Sequence, residues 1–146
     1  MPLEIISNKL QLEVYGFGAV AADKDYTSTA FRLSGRMWEL VNAKKIPHKG
    51  KNIWIYDTTD KVFAGVELEH TADGAASGLE RTCIELEQYA RYTHVGPYQL
   101  IKQSGLAMRE QLGKMGYRIA LPYIEIYGHW VKDETKLETD LIMSLE

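Results

Sequence analysis

The sequence predicts an α+β fold: two strand–helix–strand–strand units related by a pseudo-twofold axis, a mainly antiparallel sheet, two main helices packed on its outer face, and a central groove. Three observations predict it. Short matches recur in the same order along the two halves. "LQLEVYGFGAV" from Leu10 parallels "IELEQYARYTHV" from Ile84, an offset of 74, and "LSGRMWELVNAKK" from Leu33 parallels "QSGLAMREQLGKM" from Gln103, an offset of 70. "IWIYD" from Ile53 parallels "IEIYG" from Ile124, an offset of 71, and "GVELE" closes one half as "IMSLE" closes the other. Each half also carries one helical stripe, and each stripe is followed by two strand-like runs with a turn between them.

Taken in order, the first helix carries Phe31, Ser34, Trp38 and Val41 on one stripe. Strands follow at about 52–58 and 62–70, with "DTTD" supplying the turn. In the second half Gly96-Pro97 opens a helix, proline being suited to a first turn. Ile101, Gly105, Met108, Leu112 and Met115 recur at helical spacing, and Gly116 is placed to stop them. Strands at about 123–130 and 139–146 complete the unit, with "KDET" between them. The repeats divide the chain at about 1–74 and 75–146 within one domain.

The 146 residues suffice for one domain with a substantial core. A charge of −3 argues against a phosphate-binding surface, so direct nucleic-acid binding is not expected. No apolar run has the length of a membrane span, and "MPLEIISNKL" lacks the regions of a signal peptide. The single cysteine, Cys83, permits no internal disulfide and fits a reducing cytoplasm. Nine Tyr, three Trp and three Phe, several of them clustered, are the less ordinary feature.

Strand alternation places some of these aromatics around an acid. In "LPYIEIYGHW", Ile124 and Ile126 point one way, while Tyr123, Glu125, Tyr127 and His129 point the other. In "IWIY", Ile53 and Ile55 oppose Trp54 and Tyr56. The aliphatic faces of both strands are expected to pack under the helices. The other face then carries Trp54, Tyr56, Tyr123, Glu125 and Tyr127, with Trp54 the repeat counterpart of Glu125. A solvated face would explain a lone Glu. An internal partner such as Arg118, Lys102 or a tyrosine hydroxyl would explain it too. Four large rings argue for a binding patch instead. A desolvated carboxylate needs a partner, and a ligand cation held by aromatic faces would supply one.

The chain resembles the gyrase-inhibitor-like small-molecule-binding family, which includes the effector-binding domains of AraC-type and multidrug-sensing transcription regulators. The matching features are "MWELVNAKKIP", "VFAGVELE", "YARYTHVGPYQLI", "PYIEIY" and "TDLIMSLE", in family order and over nearly the whole chain. The resemblance implies a ligand groove between the duplicated halves, and it implies that Glu125 is the family's central acid. Trp54, Tyr56, Tyr123 and Tyr127, with Phe63 from "VFAGVELE", are the aromatic candidates. Trp38 and His94 remain candidates beside a packing role: Trp38 lies on the helix stripe, and His94 flanks the Gly96-Pro97 turn together with Tyr98. Unlike the regulators, this sequence holds no helix-turn-helix region, so a stand-alone effector-binding domain is expected.

The expected function is binding of amphipathic, cationic aromatic small molecules, as a sensor or a sequestering module. One alternative is a hydrolase of the same family, with Glu125 as base and Tyr127 or Tyr56 as proton donor. Another is a gyrase-inhibitor-like module that binds a protein, whether a regulator or a topoisomerase. No cofactor is expected. "GFGAVA" matches G-x-G-x-x-A but opens no helix, so Gly16 and Gly18 read as a bulge or bend. His48, His70, His94 and His129 lack metal-ligand spacing.

Overall fold

A computed structural model describes residues 3–57 and 60–146. The two central threonines of the "DTTD" turn, Thr58 and Thr59, lie outside the described residues. The elements are β1 (Glu4–Ile6), β2 (Leu10–Val20), α1 (Tyr26–Lys44), β3 (Ile53–Tyr56), β4 (Lys61–Val66), β5 (Glu80–Leu86), β6 (Tyr89–Val95), α2 (Ile101–Lys114), β7 (Ile119–Tyr127) and β8 (Glu138–Leu145). All strand pairings are antiparallel, in the order β1-β6-β8-β7-β3-β4-β2-β5.

That order reads the same from both ends. Moving outward from the β3–β7 contact, one side runs β3-β4-β2 and the other β7-β8-β6. The outermost strands are exchanged. β1 precedes β2 in the chain but pairs with β6, and β5 precedes β6 but pairs with β2. Each half thus supplies an edge strand to the other. In β3 and β7, Trp54 and Glu125 are Cα partners as well as repeat counterparts. The pseudo-twofold axis therefore passes between them.

The sheet curls around one aliphatic core. Ile53, Ile55 and Ile124 pack with Leu12, Val14, Ile84, Leu86 and Ile142, which joins strands from both edges of the sheet. The expectation that these aliphatic faces lie under the helices is corrected here: they fill the concave interior. The helices pack on the opposite, convex face. Leu33 of α1 clusters with Trp54, Val62 and Ala64, and Met37 and Val41 with Tyr15 and Val66. Ile101, Met108 and Leu112 of α2 cluster with Ala90, Leu141, Met143 and Leu145. Alternation groups side chains by face, but which face the helices cover is a matter of how the sheet curls.

Both helices carry recognisable ends. Asp25 accepts a hydrogen bond from the Ser28 amide at 3.2 Å, capping α1. A short 3-10 turn, Tyr98–Leu100, follows Pro97 and leads into α2. Gly116 stops α2 at φ +85°, a conformation that favours glycine. The predicted α2 stripe is buried from Ile101 to Leu112, whereas Met115, past the helix end, is half exposed. Phe31 departs from the predicted α1 stripe and is 65% exposed. Gly16 and Gly18 form no bulge: β2 keeps register with β4 through both. A Cβ at Gly16 would lie 1.9 Å from the Ala64 carbonyl oxygen, so the close approach of β4 requires the glycine.

Candidate functional site

A cavity of about 950 Å³ opens on the convex face between the two helices. β3 and β7 form its floor through Trp54, Tyr56, Tyr123, Glu125 and Tyr127. α1 contributes Tyr26, Thr27 and Phe31 to one wall, and α2 contributes Lys102, Leu106 and Arg109 to the other. The volume lies within the range of small-molecule pockets, roughly 300–1,000 Å³. The helices stand on the aromatic face and to either side of the axis, and that placement makes the groove.

Glu125 lies at the centre, 8% exposed. Three tyrosine hydroxyls donate to its carboxylate: Tyr127 to Oε1 at 2.7 Å, Tyr123 to Oε2 at 2.8 Å, and Tyr56 to Oε1 at 3.3 Å. These donors suit an acceptor-only group. Neither Arg118 nor Lys102 pairs with it, and among the described residues no cation lies within ion-pair distance. Of the internal partners considered from sequence, the tyrosines are the ones present. They satisfy the oxygens without neutralising a charge. Burial, then the neighbouring Glu125 carboxylate, pushes the hydroxyls of Tyr56, Tyr123 and Tyr127 far above the ordinary phenol value.

Ring contacts hold this floor. Tyr56 and Tyr123 stack at 5.6 Å between centroids. Trp54 meets Tyr127 and Phe31 edge-on at 4.9 Å and 5.1 Å. Tyr98 meets Tyr127 at 5.5 Å. Such contacts fix ring orientation and contribute about 0.5–1.5 kcal/mol each beyond buried area. The buried Trp54 Nε1 has no hydrogen-bond partner.

Five of the eight sequence candidates meet in the groove; Trp38, Phe63 and His94 do not line it. Phe63 pairs in register with Ile55 and shares its face, so it packs in the concave core. Trp38 donates its Nε1–H to Asn52 Oδ1 and packs edge-on to His48. His94 is buried, with Nε2 3.0 Å from the Pro97 carbonyl and Nδ1 2.7 Å from Ser104 Oγ. A carbonyl only accepts, so Nε2 carries the proton, and the ring ties β6 to α2. The helix walls are not among the expected site residues: Leu106 and Arg109 look like the solvated side of an amphipathic helix, and Phe31, expected on the packed stripe of α1, instead stands exposed on the groove wall. Trp130, 71% exposed in the loop after β7, also lines the cavity. Of the residues beside the second turn, Tyr98 rims the groove where His94 does not.

No protein-family model and no curated protein matches the chain. Solved structures do. The EcmrR C-terminal domain matches with a TM-score of 0.71 at 13% identity, over 100% of this chain and 99% of that one. The structure of SAV2435 bound to tetraphenylphosphonium matches at 0.66 and 13%, over 100% and 94%. A hydrolase from Listeria innocua matches at 0.55 and 12%, over 99% and 91%. At such identities the likeness is one of fold: the chain has the fold that the EcmrR C-terminal domain and SAV2435 share.

Proposed function

We propose that the groove takes up amphipathic aromatic cations and that the protein acts as a sensor or a sequestering module for them. One observation carries this reading: the Glu125 carboxylate is buried and hydrogen-bonded by three hydroxyls, yet has no counter-charge among the described residues. A buried charge without a partner is costly, and a ligand cation would supply it. The rings around it attract cations by about 0.5–2 kcal/mol each and cover an apolar body. The neighbour bound to tetraphenylphosphonium, a lipophilic aromatic cation, supports this direction. As a sensor the protein would act through a partner protein. In the DNA complex of EcmrR this chain covers 56% of the matching chain, so there the fold is joined to further residues of the same polypeptide.

Calorimetric titration of a matched cationic and neutral aromatic pair tests the reading. Glu125→Gln keeps the shape and removes the charge. It is expected to weaken the cation about 10- to 150-fold, the scale of a charged hydrogen-bonding partner, and the neutral compound far less. Equal losses for both ligands would defeat the proposal.

Hydrolysis is the competing reading, supported by the 2.7 Å contact between Tyr127 and Glu125 and by the hydrolase among the neighbours. Burial of Tyr127, with the Glu125 carboxylate beside it, argues against it, because a phenol held far above its ordinary value is a poor proton donor near neutral pH. Conversion of an aryl epoxide to its diol, lost in Glu125→Gln, would favour the enzyme.

A further inference from the structure

The two helix walls of the groove differ in charge although pseudo-symmetry relates them. The α1 wall, Tyr26, Thr27 and Phe31, carries none. The α2 wall carries Lys102 and Arg109, both exposed and neither in an ion pair among the described residues. Arg109 holds its guanidinium carbon 5.5 Å from the centroid of the Tyr123 ring. The hydroxyl of that tyrosine donates to Glu125 at 2.8 Å. A single phenol therefore touches the acid at one end and stacks under a cation on its face. The positive charge of Arg109 acts on the Tyr123 hydroxyl in the sense opposite to Glu125.

A simple cation fits this arrangement incompletely. It would satisfy Glu125 and be repelled by two positive charges on the α2 wall. A ligand that also carries a carboxylate would meet both, since a guanidinium matches a carboxylate with two parallel hydrogen bonds. We infer that the groove's preferred ligand is an aromatic zwitterion, with its cationic centre over Glu125 and a carboxylate held at the α2 wall by Arg109 and Lys102. This rests on the cation-binding reading of the floor and names the ligand class more closely. It also assigns Arg109 as a residue that selects among cations.

The test is calorimetric titration at low salt with two phosphonium probes of similar shape, butyltriphenylphosphonium and (3-carboxypropyl)triphenylphosphonium. The native protein is expected to bind the carboxylated probe about 3- to 10-fold more tightly, the scale of a partly exposed ion pair with good geometry. In Arg109→Gln, and further in the double variant with Lys102→Gln, that preference disappears while the butyl probe binds as well or better. Glu125→Gln weakens both probes. A carboxylated probe bound no more tightly than the butyl one would overturn the inference and leave the floor reading standing. So would a preference that survives in the double variant. Failure of both probes to bind the native protein would overturn both readings.

Discussion

Trp54 and Glu125 face each other as Cα partners at the pseudo-twofold axis, and each occupies the place of the other's repeat counterpart. Duplication gave two equivalent central strands, and divergence at this one pair put an indole on one and a carboxylate on the other. The fold is thus symmetric where it packs and asymmetric where its groove is deepest. The indole N–H is buried without a partner, beside an acid that has three donors.

That orphan N–H makes Trp54 separable into two parts. Trp54→Ala removes the ring from the floor and is expected to cost about 3–5 kcal/mol, and to weaken cationic and neutral aromatic ligands alike. Trp54→Phe keeps a ring and removes an unsatisfied donor, whose burial costs about 1–3 kcal/mol, so its net loss is expected to be less than half as large. Urea unfolding of both variants checks this. Equal losses would mean that the N–H is satisfied.

Phe31 and Phe63 form a matched pair with opposite roles. Phe63 is buried in the concave core, and Phe31 stands exposed on the α1 wall against Trp54. Phe63→Ala is expected to cost about 3–5 kcal/mol of stability and to leave the affinity of the folded protein unchanged. Phe31→Ala is expected to cost only about 0.5–1.5 kcal/mol, the loss of its edge-on contact with Trp54, and to weaken aromatic ligands. Thermal unfolding beside ligand titration reads both, and a reversal of the two patterns would show the faces misassigned.

Leu112 is fully buried on α2 against the β6–β8 side of the sheet. Leu112→Ala is expected to destabilise by about 2–5 kcal/mol, the range for a buried leucine. Chemical denaturation measures it. A loss below about 0.5 kcal/mol would mean that α2 does not pack as described.

Alkaline pH probes the tyrosine cluster. Tyr56, Tyr123 and Tyr127 are held above the ordinary value of 10.0 in the folded protein by burial and by Glu125. Their contribution is complete below pH 10. Above it the unfolded chain releases these protons and the folded one keeps them, so stability falls as pH rises, by up to about 1.4 kcal/mol per pH unit for each tyrosine. Ultraviolet titration near 295 nm is expected to show these three phenols ionising only as the protein unfolds. Full ionisation of all nine tyrosines in a still-folded protein would contradict the cluster.

The sequence by itself determined the repeat, the strand–helix–strand–strand core of each half though not the added edge strands β1 and β5, the stripe of α2 and the aromatic residues of β3 and β7 that share a face with Glu125. These follow from local rules, a helical period near 3.6 and a strand period of 2, which one chain segment expresses alone. The tertiary structure decided the rest. Which face of the sheet receives the helices depends on the direction of curl, and curl comes from strands of both halves closing on one aliphatic core. For that reason Ile53 and Ile124 lie inside rather than under helices, and Phe63 left the groove although its motif pointed to it. The exchange of β1 and β5 between halves is equally non-local. Phe31 and Arg109 became groove residues for the same cause. Each is an exposed position on its own helix, and only the placement of two helices across one axis makes them walls of a single cavity.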